Sequence, residues 1–207
     1  MKKYKIITTY KKLLADTTTP VSIYLRLRDV FPNSLLLESS DYHSRENSMS
    51  FVCCEPVSGL VLNQGELKID YPDGQKETHS AGSFELIEQI NNYLLAFEAE
   101  GGIPKIISSG LFGYFTHEAV EHFETIKLKK SDDDTRRIPE MQYHVYRYIV
   151  AIDHFKNELY IFHNQPEGQP ENGGIEKIEY LIKNKNFPEY SFQSKQDEKS
   201  NLTNEQF

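Results

Sequence analysis

The chain has 207 residues, of which 38% are hydrophobic and 26% charged, and its formal net charge is -8. This composition is typical of a soluble globular protein, and the acidic balance disfavours nucleic acid as a partner. No apolar run approaches the roughly 18 to 20 residues that a membrane-spanning helix needs, so we expect no membrane partner either.

The first 40 residues predict one helix and one strand. Thr19 is a favourable N-cap for a helix with Pro20 at its first position, and Pro32 limits the far end of that helix. We expect its apolar face to be formed by Val21, Leu25 and Val30. Residues 34–39 follow as an apolar run with the length of a strand.

The middle of the chain predicts a series of short antiparallel strands followed by a helix. The strands are expected at residues 51–54, 59–63 and 66–71, with turn-forming residues at 63–65 and 72–74. From Ser83 onward the apolar residues recur at helical spacing instead. These helical positions are Leu86, Ile87, Ile90, Tyr93, Leu94 and Phe97.

The second half predicts a strand, a short helix, a hairpin and a final helix. The strand is expected over residues 106–115, where Gly110 and Gly113 suggest close backbone approach. Residues 118–123 predict the short helix, and residues 127–137 a solvated loop. The hairpin joins residues 141–153 to 158–163, and the last helix contains Ile178, Leu181 and Ile182. Together the elements predict an α+β fold: a mainly antiparallel β-sheet with helices packed on the outer side.

The two cysteines, Cys53 and Cys54, are adjacent in a predicted strand. Neighbouring side chains of a strand point to opposite faces, so these thiols are poorly placed to bridge each other. We expect them to be small core residues in a reducing compartment. Because the start of the chain also lacks the apolar segment of a secretory signal, we expect a cytoplasmic protein.

Two histidines, His117 and His122, flank a short acidic run that resembles part of a zinc-protease motif. In that motif the histidines are four residues apart on one helical face, whereas five positions rotate them by roughly 140°. We therefore predict no metal site there. The sequence also offers no Gly-x-Ser-x-Gly motif and no local partner for either cysteine, so we predict no catalytic residues and no cofactor in this chain.

Glu38 and Ser39 follow the apolar run Leu35-Leu36-Leu37 at a predicted strand end. They can be read as a solvated strand end and the start of a turn. They can also be read as a carboxylate that recognises an ammonium group, with a hydroxyl as a second hydrogen-bonding partner. The residues themselves leave both interpretations open.

The last residues predict a linker and the beginning of another helix. Residues 194–201 have the composition of a flexible linker. Thr203 and Gln206 then match a helix capping box, only one residue before the chain stops at Phe207. We expect the chain to be a fragment of a longer protein.

Several segments in this order resemble the N-terminal region of anthranilate synthase component I, a chorismate-utilising family. They are Thr19-Pro20-Val21-Ser22, Leu35-Leu36-Leu37-Glu38-Ser39, Ser50-Phe51 with Pro56 after it, Gly110-Leu111-Phe112-Gly113-Tyr114, and Ile149-Val150-Ala151-Ile152-Asp153-His154. The resemblance covers nearly the whole chain. It implies that residues 1–193 form the N-terminal regulatory domain, and that residues 194–207 are a linker and the start of the chorismate-binding catalytic domain.

The resemblance also implies a function. The complete protein, a lyase, would convert chorismate and ammonia into anthranilate and pyruvate for tryptophan biosynthesis, with the ammonia coming from a glutamine amidotransferase subunit, component II. The catalytic and Mg residues would lie beyond Phe207 in the protein's own C-terminal catalytic domain, leaving this fragment inactive alone. L-Tryptophan would act as an allosteric feedback inhibitor. Carried over by position, Glu38 would bind its amino group, Ser39 would hydrogen-bond it, and Leu37 and Met49 would form apolar walls.

The sequence departs from the family pattern around residues 47–53, where many members have an aromatic and a basic residue before the Ser-Phe pair. His117-Glu118 also stands where Tyr-Asp is common. Two alternatives stay open. One is the N-terminal part of aminodeoxychorismate synthase component I from the folate pathway, and the other is a free-standing module that binds a small ligand.

Overall fold

The computed structural model describes residues 2–39, 48–80, 83–101, 104, 106–128, 138–171 and 173–184. Within them the chain forms nine strands, three α-helices and a 3-10 helix at His117–His122. The strands are β1 (Tyr4–Leu14), β2 (Leu35–Glu38), β3 (Met49–Asn63), β4 (Glu66–Asp70), β5 (Lys76–Ser80), β6 (Phe97–Glu100), β7 (Phe112–Phe115), β8 (Met141–Asp153) and β9 (Glu158–Pro166). The α-helices are α1 (Pro20–Leu27), α2 (Ser83–Leu95) and α3 (Gly174–Lys183).

The nine strands belong to one sheet, whose main order is β5-β4-β3-β8-β9-β1-β6. β2 joins this sheet beside the first part of β3, and β7 beside the first part of β8. The pairing is antiparallel except between β1 and β6. Helices α1 and α3 share a core with one face of β3, β8 and β9. The predicted α+β fold with a mainly antiparallel sheet and outer helices is confirmed.

β3 is one long strand, although the sequence predicted two short ones at residues 51–54 and 59–63. The backbone of Glu55 has φ 58°, and the pairing with β8 shifts register between Pro56 and Ser58. Such a β-bulge bends a strand without ending it, which the apolar pattern alone does not reveal. Residues before the bulge therefore pair with β2, and residues after it pair with β4.

Helix α1 begins as predicted, but the predicted apolar face was wrong. The side chain of Thr19 accepts a hydrogen bond from the backbone N–H of Ser22 at 3.1 Å, which completes a capping box. The buried residues are Pro20, Ile23 and Leu27, whereas Val21 and Val30 are 46% and 47% exposed. The buried set follows the spacing of a helical stripe that begins at the proline.

Helix α2 ends two residues earlier than the helical spacing suggested, because Phe97 begins β6. Phe97 pairs with Tyr4 in the parallel ladder of β6 and β1. Its ring still contacts the Tyr93 ring, with the centroids 5.0 Å apart. The spacing between these two aromatic residues therefore reflects a shared cluster rather than a shared helix.

The second half of the chain largely follows the predictions. The β8–β9 hairpin is confirmed, and α3 buries Ile178 and Ile182. The strand predicted over residues 106–115 forms only at β7. A Cβ on Gly113 of β7 would overlap the carbonyl oxygen of Gln142, so the backbones approach closely there. Much of the predicted 127–137 loop, the 194–201 linker and the capping box at Thr203 lie outside the described residues.

The adjacent cysteines are buried on opposite faces of β3, as predicted. Cys53 packs with Ile149 and Phe162, whereas Cys54 packs with the core beneath α1 and α3. Both thiols are free, and burial raises the pKa of each above the ordinary range of a thiol. Among the described residues, no helix has both the length and the apolar character needed to cross a membrane.

Candidate functional site

Three strands meet at the end of the sheet where β2 stops. Glu38 is the last residue of β2 and pairs with Ser50 near the start of β3. The backbone N–H of Ser39 donates to the carbonyl oxygen of Met49 at 3.2 Å, and Met49 pairs in turn with Asp153 at the end of β8. The structure therefore brings the four predicted ligand-binding residues together at one end of the sheet. We call Leu37, Glu38, Ser39 and Met49 the strand-end site.

Leu37 and Met49 form an apolar surface on one face of the sheet. Both side chains are half-buried and pack against the same cluster, which includes Phe112 and Tyr160. Antiparallel neighbours on one face approach closely enough to act as a single contact surface. Leu37 pairs directly with Phe51, and Met49 lies two residues before Phe51, so the two predicted apolar walls are diagonal neighbours on one face.

Glu38 and Ser39 are both exposed, but the alternation of β2 separates Glu38 from the apolar pair. Leu37 packs in the cluster with Phe112, whereas Leu36 packs in the cluster beneath α1 and α3. Since successive side chains of a strand leave opposite faces, Glu38 lies on the Leu36 face. A ligand that touches all four residues must therefore lie across the end of the sheet rather than on one face.

Ser50 and His154 add a polar contact that the sequence reasoning missed. Ser50 is 1% exposed, and its Oγ lies 2.7 Å from Nε2 of His154. A buried hydroxyl needs a hydrogen-bond partner, and the imidazole supplies it. The two residues are 104 positions apart, so only the pairing of β3 with β8 reveals the contact. In the sequence, these two residues were marked only by lying in segments that resemble anthranilate synthase component I.

The turn after β8 is held by Asp153, which is 4% exposed. Its Oδ1 accepts hydrogen bonds from the backbone N–H groups of Phe155 at 3.1 Å and Lys156 at 3.0 Å. Its Oδ2 accepts a hydrogen bond from Nζ of Lys156 at 2.8 Å. Burial alone would raise the pKa of Asp153, but the hydrogen bonds and charge of Lys156 hold that pKa below its ordinary value. The turn that carries His154 is therefore fixed.

The histidines flanking the acidic run lie on the 3-10 helix at His117–His122. Nε2 of His122 contacts Oε2 of Glu140 at 3.1 Å, so this histidine is engaged in an ion pair when protonated. Within the described ranges, no group of three or more His, Cys, Asp or Glu residues is placed to hold a metal ion.

Comparison with known proteins supplies relatives but no family model matches the chain. Anthranilate synthase component 1 from Neisseria meningitidis serogroup C is 28% identical over 172 residues, which cover 81% of this chain and 34% of that protein. The protein of the same name from Acinetobacter calcoaceticus is 26% identical over 162 residues, covering 76% and 32% of the two chains. The chloroplastic anthranilate synthase alpha subunit 1 from Arabidopsis thaliana is 24% identical over 200 residues, covering 87% and 33%.

Among solved structures, anthranilate synthase component I from Streptococcus pneumoniae TIGR4 matches 83% of this chain and 36% of its own, with 20% identity and a TM-score of 0.45. The chain spans about a third of the length of the curated relatives it matches. The sequence relatives confirm, over most of the chain, the predicted resemblance to the N-terminal region of anthranilate synthase component I.

Proposed function

We propose that this chain is the tryptophan-binding regulatory part of an anthranilate synthase component I. The observation that carries the proposal is the strand-end site: an exposed carboxylate and hydroxyl adjoin an apolar pair, in a chain similar to such enzymes over most of its length. A tryptophan molecule needs this combination, because its ammonium group pairs with a carboxylate while its indole ring packs on apolar side chains.

In this proposal each residue of the strand-end site has its own role. The Glu38 carboxylate accepts hydrogen bonds from the ligand's ammonium group, and the Ser39 hydroxyl hydrogen-bonds the ligand. The indole ring packs on Leu37 and Met49, which already form one surface. The site lies at the end of a sheet, so a second domain placed there can close over the ligand. Tryptophan would then favour one arrangement of the two domains, which is how a bound effector changes the activity of a distant site.

In this proposal catalysis belongs to the rest of the longer protein. The whole enzyme converts chorismate and ammonia to anthranilate and pyruvate, using Mg held by its C-terminal catalytic domain and ammonia from a glutamine amidotransferase subunit. Both thiols of this chain are buried with raised pKa values, which removes them as nucleophiles. Anthranilate formation by the purified chain with chorismate and ammonia would contradict an inactive role.

The test uses the absence of tryptophan from the sequence, since the indole fluorescence then comes from the ligand alone. L-Tryptophan is titrated with the chain while the ligand's fluorescence anisotropy is followed. We expect a saturable rise, and a loss of about tenfold or more in affinity for Glu38→Gln, because a charge-assisted hydrogen bond is removed. The matched control is Glu88→Gln, which neutralises an exposed carboxylate on α2. Equal affinities for the two variants would contradict the proposed site.

A further inference from the structure

Two contacts fix His154 beside the strand-end site, one with Ser50 of β3 and one with Ser48, the residue that precedes β3. Its backbone N–H donates to the carbonyl oxygen of Ser48 at 3.1 Å, and its Nε2 lies 2.7 Å from Oγ of Ser50. The side chain itself is exposed. The imidazole is therefore held in place while remaining accessible to a ligand.

The imidazole lies on the same face of the sheet as Glu38. Ser50 pairs directly with Glu38, and directly opposite side chains of an antiparallel pair have Cβ atoms roughly 4.5 to 5.5 Å apart. Because the hydroxyl of Ser50 contacts the imidazole, Ser50 connects Glu38 to His154 across the end of the sheet. A carboxylate and an imidazole thus flank one buried hydroxyl.

This arrangement complements both charged groups of an amino acid. Glu38 provides an acceptor for an ammonium group but would repel a carboxylate. The nearby ammonium group of Lys156 already binds Asp153, whereas Nδ1 of His154 has no partner among the residues that the structure describes. When the Ser50 hydroxyl donates to Nε2, the proton of a neutral imidazole resides on Nδ1, which becomes a donor.

We propose that His154 binds the carboxylate of the α-amino acid ligand and that Ser50 is the positioning residue that orients its imidazole. This inference rests on the proposed function, because it names a further ligand contact of the strand-end site. It also defines the ligand class: the site takes an intact α-amino acid and discriminates against an amine that lacks the carboxylate.

The test compares L-tryptophan with tryptamine, which has the same indole ring and ammonium group but no carboxylate. Both ligands fluoresce, so the anisotropy titration serves for each. We expect His154→Ala to weaken L-tryptophan binding about tenfold and to change tryptamine binding less than twofold. His154→Asn, whose side-chain amide can replace the Nδ1 donor, should recover part of the loss. Ser50→Ala should show a smaller loss with the same selectivity.

Glu38→Gln is the matched comparison, because it should weaken both ligands. If His154→Ala weakens both ligands equally, the histidine supports the site only structurally and the inference is overturned. If His154→Ala changes neither while Glu38→Gln weakens both, the inference fails and the proposed function stands. If the unaltered chain binds neither ligand, the proposed function fails first and the inference falls with it. Circular dichroism of each variant checks folding.

Discussion

Two groups of polar side chains lie beside β3, one at its bulge and one near its start, and they differ in how their hydrogen bonds are used. At the β3 bulge, Arg147 is 6% exposed and all three of its guanidinium nitrogens donate to side chains. The acceptors are Glu55 at 2.8 Å, Gln165 at 2.6 Å and Gln169 at 2.7 Å. We call these four residues the Arg147 network. At the strand-end site, by contrast, the Glu38 carboxylate and the Ser39 hydroxyl are exposed.

This difference is the one we expect between a structural cluster and the proposed ligand-binding site. The Arg147 network joins the bulge of β3 to β8, β9 and the turn after β9, so its hydrogen bonds connect parts of the fold to one another. Groups that are bonded within the protein contribute to stability, whereas exposed groups at an element end remain available for a ligand. Mutations in the two clusters should therefore separate stability from binding.

The largest expected effect is at the Arg147 network. Arg147→Met removes three hydrogen bonds and leaves the partly buried Glu55 carboxylate without this counter-charge, which should lower the free energy of unfolding by about 3 kcal/mol. The urea midpoint measures this loss. Combining Arg147→Met with Glu55→Gln should recover part of it, because the uncompensated charge is then removed. A single variant as stable as the unaltered chain would show that the network does not hold the bulge.

A smaller effect should appear with pH next to the same network. Burial and then the charge of Arg147 lower the pKa of His163, which is 5% exposed and stacked on Tyr148. Below the ordinary histidine pKa of about 6.5 the unfolded chain binds a proton that the folded chain resists, so stability falls as pH decreases from 7 to 5.5. We expect urea titrations to show that the free energy of unfolding falls by about 1 kcal/mol over this pH range. The fall should be smaller in His163→Gln, which lacks the titrating imidazole. A urea midpoint at pH 5.5 equal to or above that at pH 7 would contradict the prediction.

The smallest stability effect is expected at the strand-end site. Ser39→Ala and Glu38→Gln alter exposed side chains, so each should change the free energy of unfolding by less than about 0.5 kcal/mol. The same urea titration measures it. If Glu38→Gln weakens tryptophan binding without changing stability, the contrast with Arg147→Met is sharpened. If Glu38→Gln instead lowers the free energy of unfolding about as much as Arg147→Met does, Glu38 is a structural residue.

The sequence predicted those elements whose signals are local. Thr19 and Pro20 marked the start of α1 because capping depends on a few adjacent residues, and the β8–β9 hairpin followed from alternation and a turn. The sequence failed where tertiary context decides. The left-handed backbone of Glu55 keeps β3 continuous, and Phe97 pairs with Tyr4 instead of extending α2.

The site was predicted unevenly for the same reason. The resemblance suggested Glu38 and Ser39 as ligand-binding residues, which stays a prediction, and strand pairing brings Met49 beside Ser39. The strand predicted over residues 34–39 already implied that Leu37 and Glu38 leave opposite faces, but the roles carried over from the resemblance took no account of this alternation. Nor did the sequence associate Ser50 with His154, because a contact across paired strands requires the register of β3 and β8.

The adjacent cysteines make β3 a reporter of two cores at once. Cys53 and Cys54 are both 0% exposed, and each belongs to a different cluster. A thiol reagent can reach either sulfur only when the packing on its own face opens, so the labelling rate measures local opening. With Cys54→Ala the remaining thiol reports on the face that carries Leu37 and Met49. With Cys53→Ala it reports on the face beneath α1 and α3, so labelling of the two variants compares how often each core opens.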